Sequence, residues 1–388
     1  MKKVFNFFLP LLVISLPFYV VRFNIGPIPT TLLEVVIIST FIVALLSGKL
    51  KKIKNFNAVF LGGIFVLLAL IGVVSDPEKI RALGIWKAYF VDSYFVFLIV
   101  LSLSNKERKE TLWYLLVSGF IVSVVGLIMY FLGIKSTDGR LVDMDRLSPN
   151  YLAMYLTPIF LVSLSFSVWQ DQSIFKKVFA SLSSLLVLLA IYLTQSRGAI
   201  IGLGLGLIVM LFSTFIKTKY EKVARVLLAA VIVGVLALSF WYFKPDWTDH
   251  SRKATSSNIR YYIWTTSLEI AKKNPLWGVG ISNYQDYFTD LTKNRVNYPE
   301  YISPQALTAH NLYIHMYLST GILGILAFLI FLTASKFWKL YSIPASVALI
   351  GILSYGLVDT PFFRNDLAAL LLIILGLIYS AQNESKKS

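Results

Sequence analysis

Asn258-Ile259-Arg260-Tyr261-Tyr262-Ile263-Trp264 stands inside residues 241–309, the one long polar stretch of an otherwise apolar chain. The reading of that stretch decides the fold. Asn274-Pro275-Leu276-Trp277-Gly278-Val279-Gly280 follows, and Thr308-Ala309-His310-Asn311 closes it. His250, His310 and His315, the three histidines of the chain, lie in the window or just after it. Apolar runs on both sides approach or exceed the roughly 20 residues needed to cross a hydrocarbon core. A polar window between such runs is expected to sit as a cap at one face of a bilayer.

Composition agrees with a membrane-embedded chain. Of 388 residues, 57% are hydrophobic and 14% charged, whereas charged residues make up about a quarter of a soluble domain. Cysteine is absent, which leaves no disulfide framework and no thiolate metal site. The run Val4–Val21 follows Lys2 and Lys3 and imitates a signal peptide, but no small-residue cleavage site follows it. It reads as a retained first span.

About twelve spans are expected, near 5–21, 30–47, 57–75, 86–103, 112–132, 149–168, 176–193, 199–216, 223–243, 310–333, 342–357 and 366–380. Alternate connections carry the lysines and arginines. Lys2 and Lys3, Lys49 to Lys54, Lys106 to Lys109, Lys176 and Lys177, Lys217 to Arg225, Lys336 and Lys339, and Lys386 and Lys387 all fall on one side. The positive-inside rule places that side, with both termini, in the cytoplasm. The formal charge of +16 is therefore read as a topology signal near anionic lipid, not as a nucleic-acid surface.

The opposite connections are 22–29, 76–85, 133–148, 194–198, 244–309 and 358–365. The long one, 244–309, is expected as a helical extracytoplasmic cap inserted between spans nine and ten of a single membrane domain, 1–388. Residues 260–272 have helical character, Pro275 and Gly278 end that helix, and a second short helix covers 282–291. The fold class is thus an all-α polytopic membrane protein.

Cations on the outer side oppose the topology rule and need another reason to exist. Arg197 sits in Thr194-Gln195-Ser196-Arg197-Gly198, a turn too short to carry the charge far from the interface. It is either a snorkelling interfacial arginine or a ligand for an anionic substrate in a packed polar turn. Arg260 begins a helical face with Trp264 one turn on. Tyr261 and Trp264 serve either as interface anchors or as stacking surfaces for sugar rings. His310 lies at the mouth of span ten, where Thr308 is expected to cap the helix; an imidazole there suits proton transfer from a hydroxyl. Asp359 is placed to orient His310 or pair with an arginine, with Asp76 and Glu78 as alternatives. Arg81, Lys87, Arg146 and Arg364 are further candidates for binding an anion, since guanidinium donors match phosphate oxygens. His315 is turned to another face, and three histidines from unrelated directions make a poor zinc set. No metal and no cofactor is expected.

With Arg197, Arg260 and His310 identified, the chain resembles the O-antigen ligase and O-antigen polymerase superfamily. The similar segments are 194–198, 258–264, 274–280, Ala309-His310-Asn311-Leu312-Tyr313, Gly321-Ile322-Leu323-Gly324 and Arg146-Leu147-Ser148-Pro149-Asn150-Tyr151-Leu152-Ala153. Their order and spacing carry the resemblance over most of the chain. It implies a GT-C-type glycosyltransferase of the bacterial inner membrane, acting at the periplasmic or external face. The implied donor is an undecaprenyl-diphosphate-linked glycan. The implied acceptor is a lipid A-core sugar for a ligase, or another lipid-linked glycan for a polymerase. The residues matching Arg197 and Arg260 are implied to engage the donor diphosphate, and His310 to activate or position the acceptor.

That chemistry agrees with the residues themselves. Charge develops on a departing diphosphate, and two guanidinium groups stabilise it without a metal. Direct attack predicts inversion at the anomeric carbon. A lipid flippase or secondary transporter is the reading from a different class, but its halves would often show matching organisation. Here the one large loop is off-centre.

Overall fold

The computed structural model describes residues 2–26, 28–145, 148–169, 173–213, 256–295 and 306–385. The expected ninth span, the Lys217 to Arg225 cluster, His250, Arg146, Lys386 and Lys387 lie outside these residues. Among the described residues the chain is helical apart from one hairpin, β1 (Arg22–Ile25) against β2 (Ile28–Thr31). The strands are antiparallel, with Arg22 opposite Thr31. The sequence left this connection as a plain link, because β1 is exposed along its whole length and has no buried face to impose an alternation.

In chain order the helices are α1 (Lys2–Ile14), α2 (Leu32–Leu46), α3 (Phe56–Leu68), α4 (Leu70–Val74), α5 (Lys79–Trp86), α6 (Asp92–Leu101) and α7 (Asn105–Phe131). They continue with α8 (Pro149–Trp169), α9 (Ile174–Thr194), α10 (Arg197–Ser213), α11 (Ser256–Lys273) and α12 (Tyr284–Thr292). The last three are α13 (Leu312–Ala334), α14 (Ile343–Tyr355) and α15 (Asn365–Ser385).

Every expected span except the ninth coincides with helix, but the lengths differ from expectation. Seven segments are long and apolar enough to cross a membrane: Phe56–Val74, Lys79–Leu101, Asn105–Phe131, Pro149–Val168, Ile174–Thr194, Leu312–Lys339 and Asn365–Asn383. Four others, Lys3–Ile14, Leu32–Leu46, Arg197–Ser213 and Ile343–Tyr355, are shorter apolar helices. At about 1.5 Å per residue, Lys3–Ile14, Leu32–Leu46 and Ile343–Tyr355 fall short of a hydrocarbon core of about 30 Å, whereas Arg197–Ser213 runs to the edge of the described residues. The chain is a multi-pass membrane protein, with seven candidate crossings among the described residues.

Helix α15 runs through the middle of the bundle. Its apolar window is 89% buried, against 33% for α9. Leu367 to Leu375 are all enclosed, as expected for a helix that is apolar all round. It packs against α6 on one side and α14 on another, while α8 meets α7, α9, α10 and α14.

Local sequence fixes several helix starts. Ser104 and Glu107 form a reciprocal capping box at α7. Thr31 accepts from the Glu34 N–H at α2, and Asn55 accepts from the Ala58 N–H at α3. The cap of α13 is Asn311, whose Oδ1 accepts from Tyr313 and Ile314 N–H at 3.0 Å each. Thr308, the expected cap, instead accepts from the His310 N–H at 3.4 Å.

Candidate active site

The expected helical cap is built from α11 and α12, and the Asn274–Gly280 motif fastens it to the membrane helices. Helix α11 ends where Pro275 is about to interrupt it, and the following loop runs along a break in α13. The break is at Gly321, with φ 71° and ψ −177°. The Val279 N–H donates to the Leu318 carbonyl (2.8 Å), and the Ile322 N–H donates to the Leu276 carbonyl (3.0 Å). A Cβ on Gly278 would lie 2.3 Å from the Leu318 oxygen, and one on Gly321 would lie 2.4 Å from the Leu276 oxygen. Both glycines also have positive φ, so the close approach and the backbone shape both demand them. Asp76 completes the attachment: its carboxylate accepts from the Ser282 N–H (2.6 Å) and hydroxyl (2.9 Å).

Where the docked cap meets the start of α13, Arg260, Trp264, His310 and Asp359 come together. His310 Nδ1 lies 3.2 Å from Asp359 Oδ1. Arg260 Nη2 lies 4.0 Å from Asp359 Oδ2, and Arg260 Nε donates to the Val358 carbonyl at 3.1 Å. Asp359 is 3% exposed and Arg260 8%, whereas a third of the His310 side chain remains accessible. Burial pushes the Asp359 carboxyl up, but His310, then Arg260 and the Thr360 N–H, hold it below the usual carboxylate range. An ionised carboxylate only accepts hydrogen bonds, so Nδ1 carries the ring proton in neutral His310 and Nε2 presents a lone pair.

His310 has φ 44°, a conformation uncommon outside glycine, asparagine, aspartate and histidine itself. The Trp264 indole N–H donates to the His310 carbonyl at 3.0 Å, holding this backbone in place. Asn311 Nδ2 donates to the Leu357 carbonyl at 2.8 Å. The His310 segment and the Val358–Thr360 turn are thus fixed as a pair. Strained backbone of this kind concentrates at functional sites.

Arg197 opens α10 on the same side of the bundle. The turn before it passes through left-handed Gln195, and Ser196 Oγ is 2.6 Å from the Tyr355 hydroxyl. The Asp359 N–H donates to the Tyr355 carbonyl at 3.2 Å, so Arg197 leaves a turn fastened to the residue that leads into Asp359. One helical turn on, Ile201 shares a buried cluster with Val358, and Trp264 packs against it. Arg197 is partly exposed. Tyr261, also partly exposed, lies against the Tyr262 ring edge-on.

The remaining candidates sit elsewhere. Arg81 is exposed and pairs with Asp286 of the cap at 3.5 Å. Lys87 pairs with Glu34 and with Asp92 (3.1 Å). Arg364 is enclosed: Nη1 meets Asp143 at 2.6 Å, while Nε and Nη2 grip Asp366 at 2.7 and 2.8 Å. Its guanidinium also lies over the Tyr19 and Tyr151 rings. That arrangement holds the bundle together and spends the donors an anion would need. The His315 ring packs between Tyr284 and Phe363, away from His310's carboxylate. Sequence reading missed the Val358 carbonyl and the Ser196–Tyr355 bond. Neither has a local signal, because the partners are 98 and 159 residues apart.

The cluster therefore joins a guanidinium, a carboxylate-oriented imidazole and an indole at the junction of cap and bundle, and Arg197 follows a turn bonded to Tyr355 on the same side. Such a set can neutralise an anion and accept a proton. Residues 182–329, which include Arg197, Arg260, Trp264 and His310, match the family model for O-antigen ligases. The chain is also 25% identical over 304 residues to an O-antigen ligase of Salmonella typhimurium (strain LT2), covering 72% of this chain and 70% of that protein.

Proposed function

Because this chain belongs to the O-antigen ligase superfamily, with glycosyltransfer-type activity at the membrane, we propose that it moves a glycan from undecaprenyl diphosphate to a sugar hydroxyl of lipid A-core. The fold is read as GT-C-type, with residues 244–309 as the cap of one membrane domain. The site is read as facing the periplasm, and both termini as cytoplasmic.

The observation that carries the reading is the His310 Nδ1–Asp359 contact of 3.2 Å beside buried Arg260. His310 Nε2 takes the proton of the acceptor hydroxyl as its oxygen attacks the anomeric carbon. The bond from that carbon to the diphosphate oxygen breaks, and the electron pair leaves with the polyprenyl diphosphate. Arg197 and Arg260 stabilise the charge gathering there, an effect that strengthens where the cap excludes water. A single displacement inverts the anomeric centre. Trp264 and Asp359 position His310, and Tyr261 lines the glycan side. Arg364 and Lys87, engaged by carboxylates, are assigned to the frame and not to the donor.

Arg197→Ala, Arg260→Ala and His310→Ala are each expected to abolish transfer while the purified proteins still insert and elute as wild type. The assay supplies a lipid-diphosphate-linked glycan with competing acceptors and reads products by mass. Near-normal turnover by all three variants overturns the mechanism. A ladder of lipid-linked repeats instead of one capped acceptor identifies a polymerase. Lipid movement with no covalent product identifies a transporter.

A further inference from the structure

A second feature lies at the far end of the bundle. The ends of α2 and α6, the starts of α3 and α7, and the last turns of α15 enclose a cavity of about 350 Å³. Helix α15 begins beside Arg364 and reaches Ser380 fifteen residues later, about 22 Å along its axis. The cavity is therefore separated from the His310 cluster by most of the bundle's thickness and plays no part in glycan transfer.

Four basic side chains, Lys49, Lys52, Lys54 and Arg108, face it against a single carboxylate, Glu107. Lys49 is buried and already paired with Glu107. That leaves Lys52 and Lys54, both exposed, and the part-buried Arg108, which bonds the Asn105 side chain, as net positive charge at the rim. The floor holds Ser380, which is 5% exposed and whose hydroxyl has no hydrogen-bond partner. Buried hydroxyls are normally satisfied; among the unpartnered ones of the described residues, this is the one that borders the cavity. Beside the rim, Leu46 (66% exposed), Phe56 (76%) and Phe60 (64%) form an apolar outer surface. They stand within a few residues of the cavity's own Lys49 and Asn55.

We propose that this cavity binds the phosphate of an anionic phospholipid. Lys52 and Lys54 take the phosphate oxygens, Ser380 donates to the headgroup, and the acyl chains descend over Phe56 and Phe60. A positive cavity bordered by an apolar wall matches a ligand with an anionic head and a hydrocarbon tail. A soluble anion would have no use for the wall. The site is independent of the glycosyltransfer reading, because it shares no residue with it.

The full-length protein in zwitterionic detergent is titrated with phosphatidylglycerol or phosphatidylcholine, and bound lipid is counted by native mass spectrometry. Wild type is expected to retain phosphatidylglycerol. Lys52→Gln with Lys54→Gln should weaken its binding by about tenfold or more, and Ser380→Ala by several-fold. Lys51→Gln with Lys109→Gln removes two nearby exposed charges that do not line the cavity, and should leave binding within about twofold. Equal losses in both double variants, or none in the first, overturn the proposal by showing a diffuse basic belt or no site. Displacement of the lipid by millimolar inorganic phosphate also overturns it, in favour of a soluble-anion site.

Discussion

At residue scale, Asp359 and Arg364 show how two buried charges five positions apart in one connection divide the tasks. Asp359 faces the half-open His310 and the buried Arg260; Arg364 is closed in by Asp143 and Asp366. Removing Arg364 takes a buried guanidinium from two enclosed carboxylates, a loss that typically costs about 3–5 kcal/mol. Arg364→Gln is thus expected to lower the thermal midpoint in detergent sharply, with any protein that remains folded keeping its KM for donor. A raised KM at unchanged stability would return Arg364 to the substrate. Asp359→Asn is expected to be milder in stability, about 1–3 kcal/mol, but severe in turnover, since the amide neither enforces the Nδ1-protonated tautomer nor stabilises the imidazolium that forms. The sign of its pH dependence follows from a folded-state carboxyl held below its ordinary value. The unfolded chain binds the proton more readily, so the stabilisation is complete above the ordinary carboxylate range and is lost as pH falls through the lowered value. The stability gap between wild type and Asp359→Asn should therefore be widest at neutral pH and narrow on acidification. A gap that widens in acid would contradict the assignment.

Elements explain what the chain discloses in one dimension and what it withholds. Apolar length made the helical segments legible, and Pro275 with the glycines after it marked where the first cap helix stops. The motif 274–280 was visible as a pattern, yet its use was not. Its Gly278 admits the Leu318 backbone, and Gly321 admits the Leu276 backbone, at a break in α13 that apolar length conceals, because long apolar runs stand on both sides of Ser319-Thr320-Gly321. Likewise Arg197, Arg260 and His310 stood out as outer-face charges and an imidazole. The left-handed backbone at His310 and the 221-residue reach from Arg364 to Asp143 had no local signature. Gly321→Ala tests the junction: the added methyl meets the Leu276 carbonyl in a backbone conformation alanine resists, a combined cost of about 1–3 kcal/mol. The expected outcome is a lower thermal midpoint, faster proteolysis within the cap, and turnover reduced through a displaced Trp264 and His310. Unchanged proteolysis with unchanged turnover would show that the cap is held by other contacts.

For the whole molecule, sidedness ties the two ends together. The His310 cluster lies toward the start of α15 and the lysine-lined cavity toward its end, so fixing one side of the membrane fixes both. Positive-inside bias is the ground on which the lysine end is proposed to be cytoplasmic, and the chain offers a clean way to check, because it contains no cysteine to block or misreport labelling. Lys106 and Thr137 are exposed and flank α7 at opposite ends, a helix of 27 residues and about 40 Å. Neither residue belongs to the His310 cluster or lines the cavity. In right-side-out vesicles, Thr137→Cys should react with a membrane-impermeant maleimide at once. Lys106→Cys should react only after the membrane is permeabilised. The reverse pattern would place the imidazole and its arginines on the cytoplasmic side, where a transfer at the outer face has no access to them. It would also move the basic cavity to the leaflet in which its proposed lipid is not held by the same charge asymmetry. Equal labelling of both sites without permeabilisation would show leaky or mixed vesicles, which an added cysteine at Lys51 distinguishes, since it must follow Lys106 in intact, uniformly oriented ones.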